Sequence, residues 1–225
     1  MAEYVRLEDE VLKPAKKSVI PTSVVLPLFG INIVFFILQM AIPNFTGTFL
    51  MVSSEIYEKP WTLLTTMFLH GSLFHIFFNM YILLMFGSLL ESKIGWKRFL
   101  ALYLISGIIV SYVASFIYPA ALGASGAIMA VIGTTIVLLP NLKILFFFVL
   151  PMSLWVAGVI LFLIDFIGTF FPFSNIAHLA HIVGLFCGLA YGFYLRNQKK
   201  KFYKRFGGKK HVTVRDADEY SKLHR

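Results

Sequence analysis

Residues 122–133 read LGASGAIMAVIG. Ser125 stands between Gly123 and Gly126 at the head of an apolar run that ends at Pro140. Small residues at this density let two helices approach closely inside a bilayer. Glycines beside a serine also let a substrate backbone approach a nucleophile. The stretch alone supports either reading. From Gly123 to the residue before Pro140 the run is 17 residues, about 26 Å as a helix and short of the roughly 30 Å hydrocarbon core. Its outer end is therefore expected below the membrane surface, with Ser125 on the floor of a depression open to the outside.

The rest of the chain supports a bilayer setting. Of 225 residues, 58% are hydrophobic and 14% charged, far from the balance of a soluble domain. Six apolar runs, at about 19–42, 70–90, 99–118, 123–139, 144–169 and 174–195, approach the roughly 20 residues that a spanning helix needs. The expected fold is an all-α membrane protein, a polytopic bundle of six transmembrane helices. A short N-terminal segment, 1–18, precedes the membrane domain, 19–195, and a basic tail, 196–225, follows it. The first 18 residues mix Glu3, Glu8, Asp9 and Glu10 with Arg6, Lys13, Lys16 and Lys17. That mixture fits neither a cleaved signal peptide nor a mitochondrial transit peptide. The lone cysteine, Cys187, reads as a small buried apolar side chain.

The formal net charge is +9, yet its placement argues against nucleic acid. Eleven of the 20 Lys and Arg lie beyond residue 195, and four precede the first run. Lys93, Lys97, Arg98 and Lys143 fall in even-numbered connections, and Lys59 alone falls in an odd-numbered one. This is the positive-inside pattern. It predicts both termini in the cytoplasm of a multi-pass cell-membrane protein, with any site at the other end facing the non-cytoplasmic side. The tail interleaves Phe202, Tyr203 and Phe206 with its cations, a composition suited to anionic lipid as well as to anchoring.

Ionisable groups inside spans are costly and are functional candidates by default. With directions alternating, His75 and Asn79 lie near the outer end of span two. Ser125 lies at the outer end of span four, and His178 and His181 near the outer end of span six. His75 and Asn79 are i and i+4 and share a face, whereas His70 ends a loop. His181, Gly184, Gly188 and Gly192 line one face of span six. Gly126, Ala130 and Gly133 line one face of span four. Docking these small-residue faces would bring Ser125 to His181. A neutral histidine in reach takes the serine proton. His75, Asn79 and the backbone amides of Ala124 and Ser125 would then serve as donors to an oxyanion. Acyl transfer by this set needs no third acid, metal or cofactor. Asp165, near the outer end of span five, has two readings: a group that modulates the site and, favoured over it, an interfacial carboxylate reaching water.

Four pieces, HGSLFHIFFN at 70–79, ESKIG at 91–95, GASG at 123–126 and AHIVGLFCG at 180–188, together resemble the rhomboid family of intramembrane serine proteases. The resemblance covers roughly 19–195. It implies a Ser–His dyad, with Ser125 as nucleophile and His181 as general base. It also implies oxyanion stabilisation by His75 and Asn79, supporting roles for His70, Gly123, Gly126, His178 and Gly184, and a structural loop contact by Glu91 with Gly95. The implied substrates are transmembrane helices of other proteins, cut near their outer end. Trp61-Thr62 stands where many bacterial relatives carry Trp-Arg. Met129 stands where many carry an aromatic ring that stacks on the base, so another group, such as His178 or Met129 itself, must orient His181. Two other readings remain: a catalytically silent rhomboid-like factor that binds membrane proteins, and a histidine-based metal site.

Overall fold

The computed structural model describes residues 4–6, 23–146, 149–171, 176–206 and 211–213, with side chains as far as residue 198. Six apolar helices form the body: α1 (Val25–Ala41), α2 (Leu73–Ile94), α3 (Trp96–Ala114), α4 (Ser125–Leu138), α5 (Leu154–Phe170) and α6 (His178–Phe206). Three are long and apolar enough to cross a membrane: α2, α3 and the His178–Gln198 part of α6. The other three are shorter apolar helices of 10–17 residues. Large apolar side chains are exposed along most of the bundle, among them Phe74, Phe77, Ile105, Phe116, Leu163 and Phe170. That is a surface suited to lipid.

The interior is built on α4. Eleven of its 14 residues are buried, so it is wrapped by its neighbours. At 14 residues it is about 21 Å long, shorter still than the sequence suggests. On α6, a Cβ at Gly184 would lie 2.1 Å from the Gly126 carbonyl oxygen, and one at Gly188 would lie 2.0 Å from that of Ala130. A Cβ at Gly133 would in turn meet the Leu185 carbonyl oxygen at 2.5 Å. The small-residue faces therefore dock as their spacing predicts, and the backbones touch because no side chain stands between them. Thr134 Oγ1 adds a donor across the seam to the Gly188 carbonyl at 2.9 Å.

The connections diverge further from expectation. The fifth helix does not begin at residue 144. Lys143–Phe146 (β4) pairs antiparallel with Leu150–Ser153 (β5), and α5 starts only at Leu154. Pro151 lacks an amide hydrogen and biases Leu150 toward extended backbone. Apolar composition alone does not distinguish such a hairpin from a helix. The connection between α1 and α2 forms short helices, Phe45–Phe49 and Thr62–Thr65, and a strand, Met51–Val52 (β2). That strand pairs with Ala120–Ala121 (β3), just before Ser125. Thr66 clamps the same junction: its hydroxyl donates to the Ala121 carbonyl, and its own carbonyl accepts the Gly123 amide at 3.0 Å.

At the opposite end, Glu91 accepts Ser23 Oγ at 2.6 Å and the Val24 amide at 2.8 Å. It thus ties the start of α1 to the end of α2, beside Gly95. Helix α6 runs on to Phe206, so the first basic residues after 195 continue the helix. The side chains of Phe202, Tyr203 and Phe206, and all of 214–225, lie outside what is described. Tyr4–Arg6 (β1) pairs with His211–Thr213 (β6), bringing the two end segments together.

Candidate active site

Ser125 is the first residue of α4, where backbone amides of the opening turn have no partner within the helix. The turn that delivers it needs Gly123, whose φ of +122° is reached readily only by glycine. Gly123 also lacks the room for a side chain. A Cβ there would fall 2.8 Å from the His75 ring and 3.7 Å from Ser125 Oγ. The serine hydroxyl and the His75 imidazole thus face one spot from two sides.

His181 occupies the first turn of α6. Its Nε2 lies 2.8 Å from Ser125 Oγ, the distance of a short hydrogen bond. The separation in sequence is 56 residues, and the glycine seam between α4 and α6 closes it. The other ring nitrogen, Nδ1, lies 3.1 Å from Asp165 Oδ1 on α5. The same carboxylate oxygen is 2.7 Å from His178 Nδ1. A carboxylate oxygen accepts only, so both Nδ1 atoms donate. Nε2 of a neutral His181 is then an acceptor for the serine proton.

This corrects the expectation for Asp165. The residue is 5% exposed and does not reach water at an interface. Two imidazole nitrogens within hydrogen-bond distance of one of its oxygens offset part of the cost of burying it. Gly168, one turn on, makes the contact possible: a Cβ there would lie 2.5 Å from the His178 ring. The group within hydrogen-bond distance of His181 Nδ1 is the acid that both histidines share. Sequence reasoning named Asp165 as a group that could modulate the site but favoured a carboxylate reaching water. The available signal was an acid inside an apolar helix, near the same end as the histidines.

Ser72 caps α2 by accepting the His75 amide at 3.1 Å, which fixes the first turn from which His75 projects. Asn79 follows one turn later and is buried. Its Nδ2 has no hydrogen-bond partner among the described residues. His70 lies in the loop before α2 and is not brought to Ser125. Its backbone exchanges hydrogen bonds with the Gln39 side chain at 2.9 and 3.3 Å, and its ring packs on His75 at 5.0 Å. Burial, reinforced by neighbouring His75, holds the His70 pKa down at about 4. Among the described residues no group of three or more His, Cys, Asp or Glu is arranged to hold a metal ion.

The comparisons with known proteins agree with the motifs. A family model described as the rhomboid domain matches residues 57–198. The chain is 29% identical over 198 residues to the mitochondrial Rhomboid protein 1 of Saccharomyces cerevisiae, covering 82% of this chain and 57% of that one. It is 38% identical over 148 residues to the mitochondrial presenilin-associated rhomboid-like protein of Bos taurus, covering 62% and 38% respectively. It is 28% identical over 176 residues to the mitochondrial RHOMBOID-like protein 6 of Arabidopsis thaliana, covering 73% and 53%. The chain thus spans about half or less of the length of these relatives.

The relatives also overturn the expectation of a cell membrane, since each of the three is a mitochondrial protein. Hydropathy and Lys/Arg asymmetry report that a chain spans a bilayer and which way it is turned. Neither identifies the organelle. The domain match runs from the connection after α1 to Gln198, where the apolar part of α6 ends, and the chain accordingly belongs to the rhomboid family.

Proposed function

We propose that this chain is an intramembrane serine endopeptidase of six spans that cuts other proteins' transmembrane helices near one membrane face. The observation that carries the reading is the 2.8 Å approach of His181 Nε2 to Ser125 Oγ at the head of α4. Serine is a poor nucleophile until a base removes its proton. His181 takes that proton as Oγ attacks the scissile carbonyl. The resulting oxyanion is met by the His75 and Asn79 side chains and the backbone amides of Ala124 and Ser125, assisted by the positive end of α4. His181 then protonates the leaving amine, and water hydrolyses the acyl-enzyme.

A helical substrate shields its carbonyls with its own hydrogen bonds and must unwind first. Unwinding is costly in hydrocarbon unless polar partners or water receive the backbone. Substrates should therefore carry small or helix-weakening residues near the cut. In keeping with its relatives, the chain works in a mitochondrial membrane. Its basic ends lie on one face, the site opens toward the other, and the basic tail contacts anionic lipid. Subcellular fractionation of the tagged protein checks the membrane.

The decisive experiment is cleavage of a test transmembrane substrate in liposomes by wild type, Ser125→Ala and His181→Ala, with and without chelator. Both variants are expected to lose cleavage, and chelator to leave the wild type unchanged. Full activity in Ser125→Ala would sink the serine mechanism. Loss with chelator alone would favour a metal site instead.

A further inference from the structure

We infer that Asp165 is a positioning residue for the reaction, holding His181 by Nδ1 so that Nε2 faces Ser125. The inference rests on the protease reading above and adds a third member to its dyad. Three observations carry it. The acid is buried, and one of its oxygens receives both His181 Nδ1, at 3.1 Å, and His178 Nδ1, at 2.7 Å. The opposite side of the His181 ring meets Ser125 Oγ at 2.8 Å, which puts carboxylate, imidazole and hydroxyl in one line of contacts. Met129, one turn after Ser125, offers only a thioether and no strong acceptor for Nδ1.

The two histidines do different work. His178 is the closer of the two to the acid, and it sits where Gly168 leaves space on α5. It anchors α5 against α6 and sets the height of the carboxylate. His181 is more open, with its side chain 19% exposed against 11% for His178, and it receives the carboxylate in a fixed position.

The proton balance is simple. The Ser125 hydroxyl proton moves to His181 Nε2, and the Nδ1 proton stays on its nitrogen. The carboxylate remains ionised and faces the imidazolium that forms. With both imidazoles neutral, the buried charge is stabilised only by dipoles. The arriving positive charge improves its situation in the transition state, where stabilisation accelerates the reaction.

The test uses the whole chain reconstituted in bilayers. Asp165→Asn preserves shape and removes the charge. It is expected to lower kcat by at least roughly ten-fold while leaving KM within about two-fold. It should slow covalent labelling of Ser125 by a fluorophosphonate to a similar degree, and Asp165→Glu should recover part of the rate. A kcat and labelling rate within about two-fold of wild type in Asp165→Asn would overturn the inference.

A second readout does not depend on activity. With nitrogen-15 in the histidines, the His181 Nδ1 proton, identified by its loss in His181→Ala, should resonate at low field in wild type and in Ser125→Ala. It should lose that position in Asp165→Asn. An unchanged signal in Asp165→Asn overturns the inference. A wild type that fails to label at Ser125 counts against the protease reading itself, and the proton signal then decides whether Asp165 holds His181.

Discussion

The α4–α6 seam and the α5–α6 seam join the same helix to two neighbours by opposite means. Across the first, backbone meets backbone: Gly184 and Gly188 lie against the carbonyls of Gly126 and Ala130. Across the second, side chains make the contact. Asp165 receives two histidines, and Phe162 meets Phe186 edge-on with ring centroids 6.1 Å apart. Helix α4 is nearly all buried, whereas α5 exposes Trp155, Val159, Leu163, Ile167 and Phe170. A seam of backbone atoms has no rotamers to change and is stiff. A seam of side chains can yield. The serine is thus set by the rigid contact, and the orientation of its neighbouring histidine by the adaptable one.

The same chemical change, one added methyl, should act differently on the two seams. Gly188→Ala places a Cβ 2.0 Å from a backbone oxygen that cannot turn aside. It is expected to cost about 3 kcal/mol or more of stability and to remove activity with it. Thermal unfolding in detergent checks the first effect and substrate cleavage the second. A variant that unfolds like wild type would break the distinction.

Gly123→Ala comes next. It forces a side chain into a φ of +122° and against the His75 ring, a strain of about 1–3 kcal/mol. Cleavage should fall by at least roughly ten-fold, and fluorophosphonate labelling should report whether the serine itself has moved.

Gly168→Ala meets the His178 ring first, at 2.5 Å. That ring can swing, so the stability loss is expected to be about 1 kcal/mol. The fall in kcat should be larger than this loss explains, because the displaced ring shifts Asp165 from His181. Equal losses in stability and activity would show that the adaptable seam has no separate hold on the site. The smallest effect belongs to Thr134→Val, which removes one donor from the rigid seam. About 0.6–1 kcal/mol is expected, read as a lower unfolding midpoint with cleavage per folded molecule unchanged.

Much of this was legible without coordinates. The apolar runs located six helices, and their alternating directions put Ser125, His75, His178 and His181 toward one end. The i, i+4 glycine spacing on α6 and the small residues on α4 predicted which faces meet, because close backbone approach in a bilayer requires missing side chains and the sequence displays that requirement directly. The start of α5 was not legible, since an apolar run ahead of Pro151 satisfies a strand as well as a helix.

The partner of Asp165 was hidden for a different reason. Helix α5 is apolar on nearly every face, so its sequence carries little phase information to say which side turns inward. Its rotation is set by what it packs against, here Gly168 receiving the His178 ring. The sequence by itself therefore determined the helices, the glycine faces and the end of the bundle that holds the polar residues. Only the tertiary structure decided that a buried carboxylate bridges two histidines. That contact follows from the rotation of one helix about its own axis, which side-chain packing sets and hydropathy does not record.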